Sequence, residues 1–257
     1  MKINIIMLLA GLLFVASCRK KDPPAVEETP PVKTGQVTMS FRNMADTAPL
    51  VLHSGMYVNE HGDSFTVSTY KYYISNISLA ADNGKTFPEP ESYHLVDESV
   101  PASLAFSFSG IPEGTYTKLK FLIGVDKARN TSGAQTGALD PIHGMFWDWN
   151  TGYIMAKMEG NSPQAVQSHG LFEFHMGGFS GQDSVLRWVT LTLPTPLVIT
   201  EAGKPVVYLN SNVLEWFRTP HIIDFASTSI LTTTGPVSAQ MADNYADMFT
   251  VDFVEQH

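Results

Sequence analysis

Residues Phe65 to Leu79 read FTVSTYKYYISNISL, and this stretch sets the fold class. Phe65 and Val67 alternate with polar neighbours, and the run from Tyr70 to Leu79 continues as a long strand. Its phase shifts near Ser75 and Asn76, where a bulge is expected. The same two-residue period recurs on both sides. Val37, Met39 and Phe41 carry it from Gln36 onward, as do Leu104, Phe106 and Phe108, and then Phe172, Phe174 and Met176. Val185 to Leu193 alternates as cleanly. Shorter strands are expected at Tyr93–Val96, Tyr116–Val125, Tyr153–Met158, Leu197–Ile199 and Val206–Leu209. Turn signals such as Asp82-Asn83-Gly84 and Gly110–Gly114 separate them.

Helical pattern is scarce. Asn212 is placed to cap a short helix through Phe217, and Ser238 to cap one running to Met248. About ten short strands with turns between them predict an all-β fold. The expected architecture is a single antiparallel sandwich or barrel-like domain with one long loop and short helices near the C-terminus.

The N-terminus has a different character. Lys2 precedes an apolar run, Ile5 to Val15, that is too short for a stable membrane span, and the run ends in Val15-Ala16-Ser17-Cys18. That ending has the form of a bacterial lipobox. Cys18 is the only cysteine, so the reading implies export, lipidation of Cys18, and no disulfide or thiolate ligand. Arg19, not Asp, follows the cysteine, which favours an outer-membrane anchor on the periplasmic side or at the cell surface. Residues 1–17 are then the signal peptide. Residues 18–35 are the lipidated cysteine and a proline-rich tether, and residues 36–257 are the β-domain. The formal charge is −9, without a basic stripe, which argues against nucleic acid.

The stretch Asp140 to Tyr153, DPIHGMFWDWNTGY, is the most unusual in the domain. It ends a pattern-poor segment from Asp126 to Asn150, and long loops in compact domains are usually functional. Trp147 and Trp149 lie one residue apart. Packing of both rings into the core ranks first, a stacking platform for a sugar second, and an oxidised, ring-opened tryptophan third. Asp126, Asp140, Asp148 and Glu159 are read as solvated loop carboxylates, since no calcium-loop spacing accompanies them. Nucleophile elbows, zinc-protease helices and phosphate loops do not occur, so an enzyme is not expected. His94, His143 and His175 stand near aromatics, and with Met145 they supply the donors from which a soft metal site could be built. A strand histidine by itself is more often a structural residue.

Gly144 to Tyr153, followed by Phe172-Glu173-Phe174-His175-Met176-Gly177, resembles the MbnP-like domain family. Gly124-Val125-Asp126 leading to Asn130, and Tyr72 to Ile77, carry the same resemblance. It implies an exported copper-binding β-protein partnered with a di-haem cytochrome c peroxidase-like protein that oxidises a tryptophan to kynurenine. On this resemblance Trp147 and Trp149 match the tryptophan pair and His175 the family histidine, with Tyr153 and Asn130 as supporting residues. Thr131 stands where the family has a histidine after the asparagine. One expected copper ligand is therefore left to His94, His143 or Met145. The alternative reading is a non-catalytic glycan- or ligand-binding lipoprotein that stacks its ligand on Trp147 and Trp149.

Overall fold

A computed structural model describes residues 32–147 and 152–257 of the chain, and Val32 to His257 forms one compact unit. Cys18 and the signal-peptide expectation lie outside the described residues, as do Asp148 and Trp149. Along the chain the strands are β1 (Thr34–Ala45), β2 (Ala48–Pro49), β3 (Tyr57–Val58), β4 (Ser64–Ala80), β5 (Thr86–Pro88), β6 (Tyr93–Asp97) and β7 (Ala105–Pro112). They continue with β8 (Gly114–Ile123), β9 (Ile154–Asn161), β10 (Leu171–Gly177), β11 (Arg187–Ile199), β12 (Val206–Asn212), β13 (Ile230–Leu231) and β14 (Phe249–Glu255).

Among the described residues these strands make two sheets. A five-stranded sheet runs β14-β12-β1-β2 with β7 also on β1. A nine-stranded sheet runs β11-β8-β4-β9-β10-β13, with β3, β5 and β6 also pairing β4. The all-β sandwich expected from the alternation is therefore the fold. Most pairings are antiparallel, but β1 and β12 run parallel, with Thr38 opposite Val206 and Met44 opposite Asn212.

The 17-residue β4 is the spine of the larger sheet. Its N-terminal half pairs with β9 and its C-terminal half with β8. The expected bulge is present: the register against β8 shifts between Ser75 and Ser78, and Asn76 takes φ 53°. A second shift lies between Val67 and Thr69, which keeps Phe65, Val67, Tyr70 and Tyr72 all on the buried side. Tyr70 and Tyr72 face the other sheet. The Tyr70 hydroxyl meets Ser211 Oγ of β12 at 2.9 Å, and the Tyr72 hydroxyl donates to Asn43 Oδ1 of β1 at 2.9 Å. Phe41 and Phe249 pack against Tyr72, and Phe121 meets Phe249 edge-on. A neighbouring cluster of Phe65, Phe172, Phe174, Phe217 and Phe225 continues this core. Burial of these rings is the main force holding the sheets together.

Asn212 acts as expected, accepting from the Leu214 N–H at 3.2 Å to cap a 3-10 helix over Val213–Phe217. Two α-helices are present among the described residues, the short α1 (Lys127–Asn130) and the C-terminal α2, which starts earlier than its pattern suggested. The C-terminal helix covers Pro236–Tyr245 with Gly235 at the N-cap. Ser238 lies inside it and donates to the Thr233 carbonyl at 2.9 Å, because Pro at the first helical position already sets the helix start.

Candidate functional site

The long segment between β8 and β9 folds over the outer face of the larger sheet. It opens with a short helix, α1 (Lys127–Asn130), capped by Asp126, whose Oδ1 accepts from the Ala128 N–H at 2.9 Å and the Arg129 N–H at 3.3 Å. Asn76 and Tyr93 donate to its other oxygen. Burial raises the Asp126 carboxyl, but these hydrogen bonds outweigh it and hold the group below its usual range. Asp126 is therefore a structural cap, not the solvated loop carboxylate its sequence setting suggested. Asp140 similarly caps the 3-10 turn Pro141–His143 through the Ile142 N–H.

Asn130 closes this segment. Its side chain is 3 % exposed. It donates to the Val125 carbonyl, and to the Asp126 carbonyl at 3.1 Å. Its Oδ1 accepts from the Tyr153 N–H at 2.8 Å. One amide thus ties the beginning of the loop to its end. Tyr153 extends the tie: its hydroxyl donates to the Leu139 carbonyl at 2.9 Å and accepts from the Gln135 N–H at 3.1 Å. Its ring meets Tyr73 of β4 edge-on at 5.8 Å.

Phe146 and Tyr153 form an antiparallel bridge. The Trp147 N–H donates to the Gly152 carbonyl at 3.1 Å, and the Ile154 N–H to the Met145 carbonyl at 2.9 Å. By strand alternation Trp147 and Met145 point to one side and Phe146 to the other. Trp147 is 6 % exposed, and its indole fills the space directly over Gly177 of β10, where any Cβ would overlap it. Core packing, the first-ranked reading, is where the structure puts this ring, and it is not a presented stacking platform. A cavity of about 470 Å³ opens beside it, lined in part by Tyr153, Phe179, Gln182, Asp183 and Thr234.

His175 precedes Gly177 by two residues in β10. It lies opposite Lys157 of β9, which lies opposite Lys71 of β4, which lies opposite Asp97 of β6. Paired residues share a sheet face, so the four make one cross-strand row on the outer face. His175 Nε2 is 2.7 Å from Glu159 Oε1, and Thr69 donates to Glu159 Oε2 at 2.8 Å. The bond from His175 holds the Glu159 carboxyl down to about 2 despite partial burial, with Thr69 and Lys157 adding to the effect. Lys157 donates to the Gly144 carbonyl at 2.7 Å, and Lys71 reaches the His143 carbonyl at 3.4 Å. The two ammonium groups pin the turn that leads into Trp147. Burial pulls Lys157 below its usual range against the opposing pull of Glu159.

The expected ligand set does not assemble. His94 faces the opposite side of the sheet, because it stands three positions, an odd step, from Asp97 in β6. Its ring stacks on Phe106 of the other sheet at 3.5 Å with planes 2° apart, and Nε2 is 2.9 Å from Glu89 Oε2. Met145 is fully buried in the hydrophobic core, where its thioether is a packing group. His143 lies on the same face as His175, but its Nε2 sits 3.0 Å from the Gly137 carbonyl. Among the described residues no group of three His, Cys, Asp or Glu side chains could hold a metal. Trp149 falls outside the described residues.

His175 does have the arrangement of a single metal-binding imidazole. A ligating histidine commonly gives its other ring N–H to a carboxylate. With Nε2 donating to Glu159, the neutral ring carries its lone pair on Nδ1. Glu159 is not a solvated loop carboxylate: the pairing of β9 with β10 brings it to His175, a contact that no local pattern signals. Gly177 was equally silent, although a glycine inside a strand pattern commonly marks close approach of another group.

The family model for MbnP matches residues 34–238. Among solved structures, MbnP from Methylosinus trichosporium is similar, with 16 % sequence identity, a TM-score of 0.50, and coverage of 80 % of this chain and 84 % of that one. At that identity the likeness establishes the fold. No curated protein matches the sequence. A family match spanning most of the sandwich, from β1 into α2, agrees with the MbnP-like motifs around Trp147 and His175, and the chain belongs to the MbnP family.

Proposed function

We propose that this MbnP-family chain is a non-catalytic, exported lipoprotein, anchored to the outer membrane through Cys18, that binds copper through His175 beside Trp147. Trp147, with Trp149, is the substrate of oxidation by a di-haem cytochrome c peroxidase-like partner in this reading. The observation that carries it is the His175–Glu159 pair, two residues along β10 from Gly177, over which the Trp147 indole sits. Imidazole suits copper, and the carboxylate behind it fixes ring orientation as metal sites require. His94 and Met145 have no part in this site, since one faces the other sheet and the other is core.

The test is metal analysis and intact mass of the protein purified from its own cells. Bound copper, the mass of a diacylated N-terminal cysteine and a mass change at one tryptophan are expected. Copper-free protein with unmodified tryptophans would overturn the copper and oxidation parts. An unlipidated chain would overturn the anchor.

A further inference from the structure

The outer face of the larger sheet carries a second feature, on β8 and β11, with no part in the site above. Trp188 of β11 is 56 % exposed in the middle of regular antiparallel pairing, opposite Leu122. Lys120 of β8 places its ammonium 4.5 Å from the centre of the indole. Thr190 lies opposite Lys120, which lies opposite Ser78 of β4. Thr192 lies opposite Lys118, which lies opposite Ala80. Both threonines and both lysines are exposed.

The result is a flat surface of one indole, hydroxyls and two cations. Its three strands span about 10 Å at the usual interstrand spacing. The lysine ion pairs among the described residues involve Lys33, Lys71 and Lys157, not Lys118 or Lys120. Asp82, the carboxylate beside this face, accepts from the Thr117 hydroxyl. Among the described residues, Lys118 and Lys120 are two neighbouring cations outside any ion pair, on a chain of formal charge −9.

An exposed Trp on a rigid sheet offers an apolar plane, and a ligand that uses it needs a flat apolar face of its own. The adjacent lysines select for negative charge, and the threonines offer hydroxyl partners. A bilayer would need several aliphatic groups around the indole to insert, and this face has threonine and lysine there. We propose that the Trp188, Lys118, Lys120 face binds an acidic oligosaccharide, with a sugar ring stacked on Trp188 and its carboxylates on the two lysines. The site is separate from the Trp147–His175 site, so either can fail without the other.

The test is isothermal titration calorimetry of the full chain in mild detergent with trigalacturonate and trimannuronate, and with maltotriose as neutral control. Binding of an acidic trisaccharide but not maltotriose is expected. Trp188→Ala and the double variant Lys118→Gln/Lys120→Gln should each weaken it by about tenfold or more. All three positions are exposed, so folding should be unaffected, and circular dichroism checks it. Failure to bind either acidic trisaccharide, unchanged binding in Trp188→Ala, or association only with phosphatidylglycerol vesicles would each overturn the proposal.

Discussion

The indole of Trp147 occupies the volume in which a side chain on Gly177 would have to stand. Glycine at this strand position is thus the condition for burying the tryptophan. Gly177→Ala should push the ring off the sheet and cost about 1–3 kcal/mol, the usual range for overpacking. Chemical denaturation would show the loss, and tryptophan emission should shift to the red. An unchanged denaturation midpoint with unchanged emission would show that the seat is not tight.

Glu159 and His175 make a second prediction, in pH. The hydrogen bond from His175 lowers the Glu159 carboxyl from 4.5 to about 2. A folded value below the unfolded one adds stability that is fully present above the unfolded value and is lost as pH falls through the folded one. The relevant window therefore runs from about pH 4.5 down to about pH 2. Glu159→Gln should flatten this part of the thermal-stability profile relative to the parent protein. Parallel profiles across the window would rule out the contribution.

Asn130 joins the Val125 and Asp126 carbonyls to the Tyr153 N–H from a buried position. Asn130→Ala leaves those groups without their partner, and about 3 kcal/mol of destabilisation is expected. The damage should centre on the loop that positions Trp147. Limited proteolysis between Asp126 and Tyr153 should accelerate well before global unfolding.

Copper binding distinguishes the histidines. His175→Ala should abolish copper retention, whereas His94→Ala should leave it intact while costing about 1–2 kcal/mol for its hydrogen bond and stacking. Metal content after gel filtration is the readout. Loss of copper in both variants at normal stability would place the metal elsewhere.

The fold was largely legible because alternation is a local property. Val37, Met39 and Phe41 are buried as their spacing implies, and the Ser75–Asn76 bulge and the Asn212 cap are where their residue types put them. Partner choice was not legible. Nothing near Thr38 announces that it lies beside Val206 in a parallel pair. The same limit shaped the reading of the site. His175 and Trp147 stood out as residue types in an unusual stretch. Glu159 could not, since its role arises from the Thr69 and His175 contacts that strand pairing creates. His94 shows the converse: its short strand was expected, but its direction depends on pairing with β4 and stacking on Phe106.

The phase of β4 also constrains how this gene can change. Tyr70 and Tyr72 serve the space between the sheets, while Lys71 and Tyr73 hold the outer loop, all within four consecutive residues. A single codon gained or lost within this run would send the tyrosines of one layer into the other and dismantle core and site together. Insertions in relatives should therefore collect in the segment after Asp126 and spare β4.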